Sequence, residues 1–357
     1  MHYFCTYFDS NYIPLGLTLL RSLRKNAAPC TLFVLCLDDK AREILLSMAM
    51  KDVVPVSLQE VEKHFPRLLE AKKNRSRIEY YFTLSPALPL YLLRTRTDID
   101  VLTYVDADMF LFGRFDSLME ELGTGSVLLV KHYFEGEESP KQKLRGKYNV
   151  GILSFRNDEN GRKCLAWWHE RCLEWCCDRA EDGKYADQKY LDDFQDLFQG
   201  VVIARNIGTH AAPWNFQASN HLVRRSRTFL IRDKELLFYH FHGLRIITPT
   251  LVDSGMTYSN IKWSKPLLQL YHEYARELLG VLTLLERDGW KADGNVRYTQ
   301  GGLKHIDYVL KRRVFVRIGP WTLRVYLGPV TDKLLKIRDC LLGRGTCSKR
   351  RVTDSQV

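Results

Sequence analysis

The chain has 357 residues, 45% of them hydrophobic, and a formal net charge of +11. That length buries a sizeable core as one large or two smaller domains, which excludes a small disulfide-stapled scaffold. The basic balance points to an anionic partner without choosing among nucleic acid, an acidic membrane surface and a phosphorylated substrate.

The N-terminal HYFCTYF reads as a buried strand, followed by the polar turn DSNYIP. The next segment predicts a helix with Leu17, Leu20 and Leu23 on its apolar face, ending near Asn26. TLFVLCL, helical KAREILLSMAM and DVVPVSL continue a strand–helix–strand rhythm, which argues for a mainly parallel sheet covered by helices. A long charged helical stretch leads to VLTYV, then DAD, then MFLF. SVLLV and NVGILSF are further strands, and GRKCLAWWHERCLEWCCDRAEDG predicts one helix closed by glycine. YADQKYLDDF predicts a shorter helix, GVVIARNIG a strand, and LLFYHFHG closes the region. From Ser264 the character changes to a long helix and then a basic tail beyond Gly301. Two units are expected: a catalytic domain over 1–263 and a basic, helical extension over 264–357.

The chain opens without the basic flank and apolar stretch of a signal peptide, and no apolar run reaches the length of a membrane span. Nine cysteines, an odd number, fit reduced thiols and a cytoplasmic location.

Asp106 and Asp108 stand one residue apart in an apolar neighbourhood, at the end of a strand. Burying two carboxylates side by side costs desolvation and mutual repulsion. A hard divalent cation, Mn²⁺ or Mg²⁺, removes both costs and leaves positions for phosphate oxygens. A plain polar turn is the competing reading. His240 and His242 can supply a nitrogen ligand, or simply flank a strand on opposite faces. Asp9-Ser10-Asn11-Tyr12 forms a polar turn with an aromatic that can read a base, or ordinary turn chemistry. Arg75 and Arg77 can bind phosphate, or begin an exposed helix. His169, Cys172 and Cys176 share a helix face, but the surrounding tryptophans favour a core helix over zinc. No Walker A sequence, G-x-S-x-G elbow or G-x-G-x-x-G follows the expected strands.

Taken in order, FDSNYIPLGLTLLRSLRKN, YVDADMF, KYNVGILSF, YADQKYL and YHFHG resemble the retaining glycosyltransferases of family 8 and a broader set of bacterial nucleotide-diphospho-sugar transferases. The likeness spans roughly residues 1–265. It implies the GT-A fold, a Rossmann-like, mainly parallel mixed α/β sheet flanked by helices. It implies metal ligation by Asp106, Asp108 and His240, with Asp106 also facing the donor diphosphate. It places Asp9, Asn11 and Tyr12 on the nucleotide, joined by Thr6 as a substrate contact. Asn149 falls near the donor sugar, and Asp187 and Gln188 beside the reacting carbon as the catalytic pair. Two positions depart from the family pattern. The lysine after the family's H-x-x-G is absent, with Arg245 as the candidate replacement, and no arginine stands in EYYFTLSP, with Arg75 and Arg77 just upstream.

The expected reaction moves a sugar from a nucleotide-diphosphate sugar, UDP by analogy, to a glycan or lipid-linked acceptor in bacterial surface polysaccharide or lipopolysaccharide synthesis. The tail KRRVFVRIGPWTLRVYLG suits docking on the anionic inner face of the cytoplasmic membrane. Another sugar-nucleotide reaction on the same fold is the alternative, with a basic nucleic-acid-binding protein as a more remote one. Nucleic acid is not an expected partner, because no nucleic-acid-binding module is present.

Overall fold

The computed structural model describes residues 1–134, 138–215, 220–248, 251–254, 264–287, 315–318 and 323–326. Its centre is a seven-stranded sheet in the order Val201–Ile203, Val127–Lys131, Tyr148–Arg156, Val101–Val105, His2–Phe8, Cys30–Cys36, Val53–Ser57. Tyr148–Arg156 runs antiparallel to both of its neighbours, and the other pairings are parallel.

Alternating side chains along the central strand supply two cores. Phe4 and Phe8 join one cluster, while Cys5 between them joins the other. Helix Ile13–Asn26 covers the first face with Leu20 and Leu23. Helices Arg77–Thr95 and Glu159–Glu174 cover the second with Leu84, Leu88, Leu165 and Trp168. Fully burying each such side chain contributes about 1.5–3 kcal/mol.

The charged stretch before the DAD segment is three helices, Leu58–His64, Arg67–Asn74 and Arg77–Thr95. The last starts at a capping box in which Ser76 N–H donates to Glu79 Oε2 at 2.9 Å. Helix Glu159–Glu174 stops earlier than its sequence suggests. Trp175 is extended, and the polar residues assigned to the helix form a hairpin, Ala180–Glu181 with Lys184–Tyr185.

A smaller three-stranded sheet carries the arrangement that matters most for function. Phe238–His240 lies antiparallel to Met109–Leu111, with His240 opposite Met109, and parallel to His210–Ala211. This pairing brings a distant histidine beside the DAD turn. Among the described residues, no helix is long and apolar enough to cross a membrane.

The long helix after Ser264 is Lys265–Arg287. It lies against helix Ile13–Asn26, with Leu267, Leu270, Tyr274 and Leu278 in the first core. The basic segment beyond it is not wholly helical. Phe315–Ile318 and Leu323–Tyr326 are strands that join Arg245–Thr248 and Leu251–Asp253 in a four-stranded antiparallel sheet. The sequence there is rich in aromatic and β-branched residues, as in Phe315-Val316-Arg317-Ile318, a composition that suits a strand. Most of the tail on which the membrane expectation rests lies outside the described residues.

Candidate active site

The strand Val101–Val105 ends in a tight turn that holds both acids. Asp106 N–H donates to the Gly151 carbonyl at 3.0 Å, and Met109 N–H returns to the Asp106 carbonyl at 3.1 Å. The Tyr104 hydroxyl donates to Asp106 Oδ1 at 2.7 Å. The small sheet closes the turn from the other side, where Phe241 N–H donates to the Asp108 carbonyl at 2.9 Å. His240 Nε2 thereby stands 3.0 Å from Asp108 Oδ1 and 3.9 Å from Asp106 Oδ2. The sequence places these three residues together, and so does the fold.

Burial pushes the Asp108 carboxyl up, but the His240 imidazolium outweighs it and leaves the group at about 2. Asp106 is raised by burial and by the charge of Asp108, against the pull of His240 and Tyr104. His240 is raised: burial opposes its charge, and the two carboxylates overcome that. One cation among two acids is the electrostatic outline of a metal site. Carboxylate oxygens with an imidazole nitrogen fit a divalent ion of the Mn²⁺ kind. The wall beside them is glycine, since a Cβ on Gly151 would meet Asp106 Oδ2 and His240 Nδ1, each at 3.2 Å. The residues present therefore fit such an ion and leave it room.

Asn149 occupies the same wall. Its Oδ1 accepts from Gly151 N–H at 2.7 Å, which aims its amide at His132 Nε2 and Gln188 Oε1, both 3.3 Å away. Gln188 is fixed in turn by donating to the Arg145 carbonyl at 2.8 Å. Asp187 and Gln188 lie in the turn before a 3-10 helix, Lys189–Asp193, rather than inside the α-helix the sequence suggests. The Trp168 indole N–H donates to the Asp187 carbonyl at 2.8 Å. The Asp187 carboxyl is pushed up to about 7, first by burial and then by the charge of Asp106, with a hydrogen bond to Ser85 working against both. Ser85 also bonds the Tyr7 hydroxyl at 3.2 Å, and the Tyr7 ring lies 5.9 Å from that of Tyr104. Tyr104, Tyr7 and Ser85 thus form a chain of contacts from Asp106 to Asp187.

The N-terminal loop follows the central strand. Asp9 Oδ1 accepts from Asn11 N–H at 3.0 Å, and Ser10 donates through N–H and hydroxyl to Asp38 Oδ2, each at 2.9 Å. Tyr12 precedes the first helix and packs partly buried against the core. Thr6 is fully buried within the strand, and its hydroxyl has no hydrogen-bond partner among the described residues.

The two arginines separate. Arg75 donates to Thr83 Oγ1, to the Cys172 carbonyl at 2.6 Å and to the Leu173 carbonyl at 2.7 Å. It caps the end of helix Glu159–Glu174, and these bonds engage Nη1 and Nη2 in the fold, which disfavours Arg75 as a diphosphate ligand. Arg77 is exposed and lies over the Tyr81 ring at 5.9 Å, and Tyr81 in turn feels the charge of Asp9. Arg245 opens the strand Arg245–Thr248, beyond the turn that follows His240.

Sequence reasoning did not assign His210 or Trp214 to the site, and it left His242 open as either a nitrogen ligand or a residue flanking the strand. His210 Nε2 is 3.4 Å from His240 Nδ1. Trp214 touches the rings of His132, His210, His240 and His242, with centroids 5.0 to 5.8 Å away. The only signals were the doubled histidine of HFHG and an isolated tryptophan in APWN.

No protein-family model matches the chain. It is 33% identical over 253 residues to the uncharacterized protein YfnF of Bacillus subtilis (strain 168), covering 69% of this chain and 82% of YfnF. It is 29% identical over 248 residues to YfnD of the same organism, covering 69% of this chain and 79% of YfnD. Among solved structures it is similar to the galactosyltransferase LgtC, crystallised with donor and acceptor sugar analogs. That match has a TM-score of 0.50 and 18% identity, and covers 78% of this chain and 95% of LgtC. The likeness shows the fold, which is GT-A.

Proposed function

We propose, for a chain that belongs to the same family as YfnF and is built on the GT-A fold, a glycosyltransferase that uses a nucleoside-diphosphate sugar and a divalent metal ion. One observation carries the reading. Asp106, Asp108 and His240 converge at the carboxyl end of the central strands, where open α/β sheets bind ligands, and Asp187 stands in the same field.

Asp106, Asp108 and His240 would hold Mn²⁺ or Mg²⁺, which when bound neutralises charge growing on the departing diphosphate. The turn Asp9–Tyr12 receives the nucleotide, UDP in this proposal, with Thr6 behind it and Arg77 beside it. Asn149 and Gln188 orient the sugar through amides that are themselves fixed. The Asp187 carboxylate faces positive charge at the anomeric carbon as the bond to the diphosphate lengthens. The ordered motifs, which resemble those of the retaining family 8, support a retaining outcome. Arg245 is the proposed substitute for the absent lysine. The acceptor is a glycan or lipid-linked hydroxyl compound of bacterial surface polysaccharide or lipopolysaccharide synthesis. The basic extension, taken as 264–357 after a catalytic unit of 1–263, docks on an anionic membrane surface on the cytoplasmic side.

The test is a screen of sugar nucleotides by thermal shift and by hydrolysis, with and without Mn²⁺. One donor should stabilise the protein only with the metal. Stabilisation by every nucleotide alike, or by none, counts against the reading.

A further inference from the structure

The loop after the strand Phe238–His240 presents a second imidazole to Asp108. Ligand atoms of Asp108, His240 and His242 all lie within 4.8 Å of one another. We propose that His242 is a further ligand of the metal ion, and that the resulting nitrogen-rich donor set selects Mn²⁺, Co²⁺ or Zn²⁺ over Mg²⁺. This rests on the metal-dependent reading above and adds to it the identity of the ion.

The placement follows from the chain. Phe241 points into the core and stacks on Tyr274, with centroids 3.8 Å apart and planes 14° from parallel. Its neighbours on either side are therefore turned away from the core together, as alternate residues of an extended segment are. Gly243 then takes φ +75°, a left-handed turn that glycine adopts without strain, and leads the chain away. His240 is buried, whereas His242 is exposed. One imidazole thus lines the floor of the site and the other its mouth. Trp214 braces both, its ring 5.2 Å from His240 at 75° and 5.3 Å from His242 at 71°. The indole is itself held by a bond from Nε1–H to the His132 carbonyl at 3.2 Å. Two ligands of one ion at about 2.1 Å each are at most about 4.2 Å apart, so the observed cluster needs only a small closure.

The consequence is one of donor chemistry. Mg²⁺ prefers oxygen ligands and keeps much of its water, whereas imidazole favours the later first-row ions. Two carboxylates with one histidine still tolerate Mg²⁺. Two carboxylates with two histidines disfavour it.

The experiment titrates metal-free protein with Co²⁺ and, separately, Mg²⁺, by calorimetry, with and without UDP. The visible absorption of Co²⁺ reports its nitrogen ligands. The proteins are wild type, His242→Ala, His242→Gln and Asp108→Asn, each first shown by circular dichroism to be folded. Both His242 variants should weaken Co²⁺ binding about tenfold or more and alter its spectrum, while leaving Mg²⁺ affinity within about twofold. Asp108→Asn should weaken both ions. Unchanged Co²⁺ affinity and spectrum in the His242 variants, with loss in Asp108→Asn, overturns the role of His242 and leaves the metal site standing. Equal weakening of Co²⁺ and Mg²⁺ in the His242 variants overturns the selectivity. Wild type that binds neither ion, or Asp108→Asn that binds Co²⁺ as wild type does, removes the metal-dependent reading and this inference together.

Discussion

Asp108 and Asp187 are both nearly removed from water, and they come out on opposite sides of the ordinary carboxyl value. The Asp108 carboxyl ends at about 2 and that of Asp187 at about 7. Burial raises both. The difference is a cation: His240 Nε2 lies 3.0 Å from Asp108, whereas Asp187 has the Ser85 hydroxyl and the repulsive field of Asp106. One wall of the crevice is thus built to hold charge permanently, and the other holds a carboxyl that gains charge readily. In the proposed reaction the first wall meets a diphosphate through a metal ion. The second meets a sugar carbon that turns positive only as the bond breaks.

The sharpest way to separate the walls is to neutralise each acid. Asp106→Asn or Asp108→Asn should lower transfer by about 1,000-fold or more and abolish Mn²⁺-dependent nucleotide binding. Asp187→Asn should lower kcat by a similar factor while Mn²⁺-dependent UDP binding survives, as measured by calorimetry. Loss of nucleotide binding in Asp187→Asn as well would merge the two walls into one site and end the comparison.

A second measurement reads the difference in stability. Asp187 is an acid whose folded value is raised from 3.8 to about 7. Below pH 4 it is protonated whether folded or unfolded, and it costs nothing. Between pH 4 and 7 the unfolded chain gives up the proton first, so stability falls as pH rises, and the loss is complete above 7. The difference corresponds to about 4 kcal/mol at most. Asp187→Asn should therefore gain on wild type in urea unfolding at pH 8 relative to pH 4. An equal difference at both pH values would show that Asp187 is not held near neutrality.

A third test concerns the wall behind the acids. A Cβ on Gly151 would stand 2.5 Å from Asn149 Oδ1 as well as 3.2 Å from Asp106 and His240. Gly151→Ala should displace Asn149 and lower kcat/KM roughly 100-fold, since small misplacements cost that much. Circular dichroism should remain that of the wild type.

The strands and the acids were legible for the same reason: both are local. HYFCTYF and CTLFVLC carry their burial in their composition, and Asp106 and Asp108 stand out because acids are expensive among apolar neighbours. His240 came from an ordered likeness of motifs, and only the pairing of Phe238–His240 with Met109–Leu111 gives the physical reason for its place. That pairing is a contact between distant segments, on which no periodicity reports. The braces His210 and Trp214 were invisible for the same reason. The end of helix Glu159–Glu174 was misplaced because WCC continues its apolar pattern. At the helix end, a guanidinium from another segment of the chain satisfies the carbonyls of Cys172 and Leu173.

That guanidinium supplies the smallest and most local test. Arg75 and Arg77 sit two residues apart in NRSRIEY and look alike in sequence. Arg75 satisfies the carbonyls of Cys172 and Leu173, which truncation would leave without that partner. Each such loss costs about 1–3 kcal/mol when the group stays buried, so Arg75→Ala should lower unfolding stability by roughly 2–3 kcal/mol. Its donor KM should stay within about twofold of wild type. Arg77 is exposed, and its removal should change stability by less than about 0.5 kcal/mol. If it reaches the donor diphosphate, Arg77→Ala should raise the donor KM about tenfold at constant kcat, and Arg77→Lys should recover part of that loss, since the charge returns without the planar fork. The two variants thus predict opposite patterns, one in denaturant and one in KM. Exchange of the patterns would place Arg75, not Arg77, on the substrate side of the crevice.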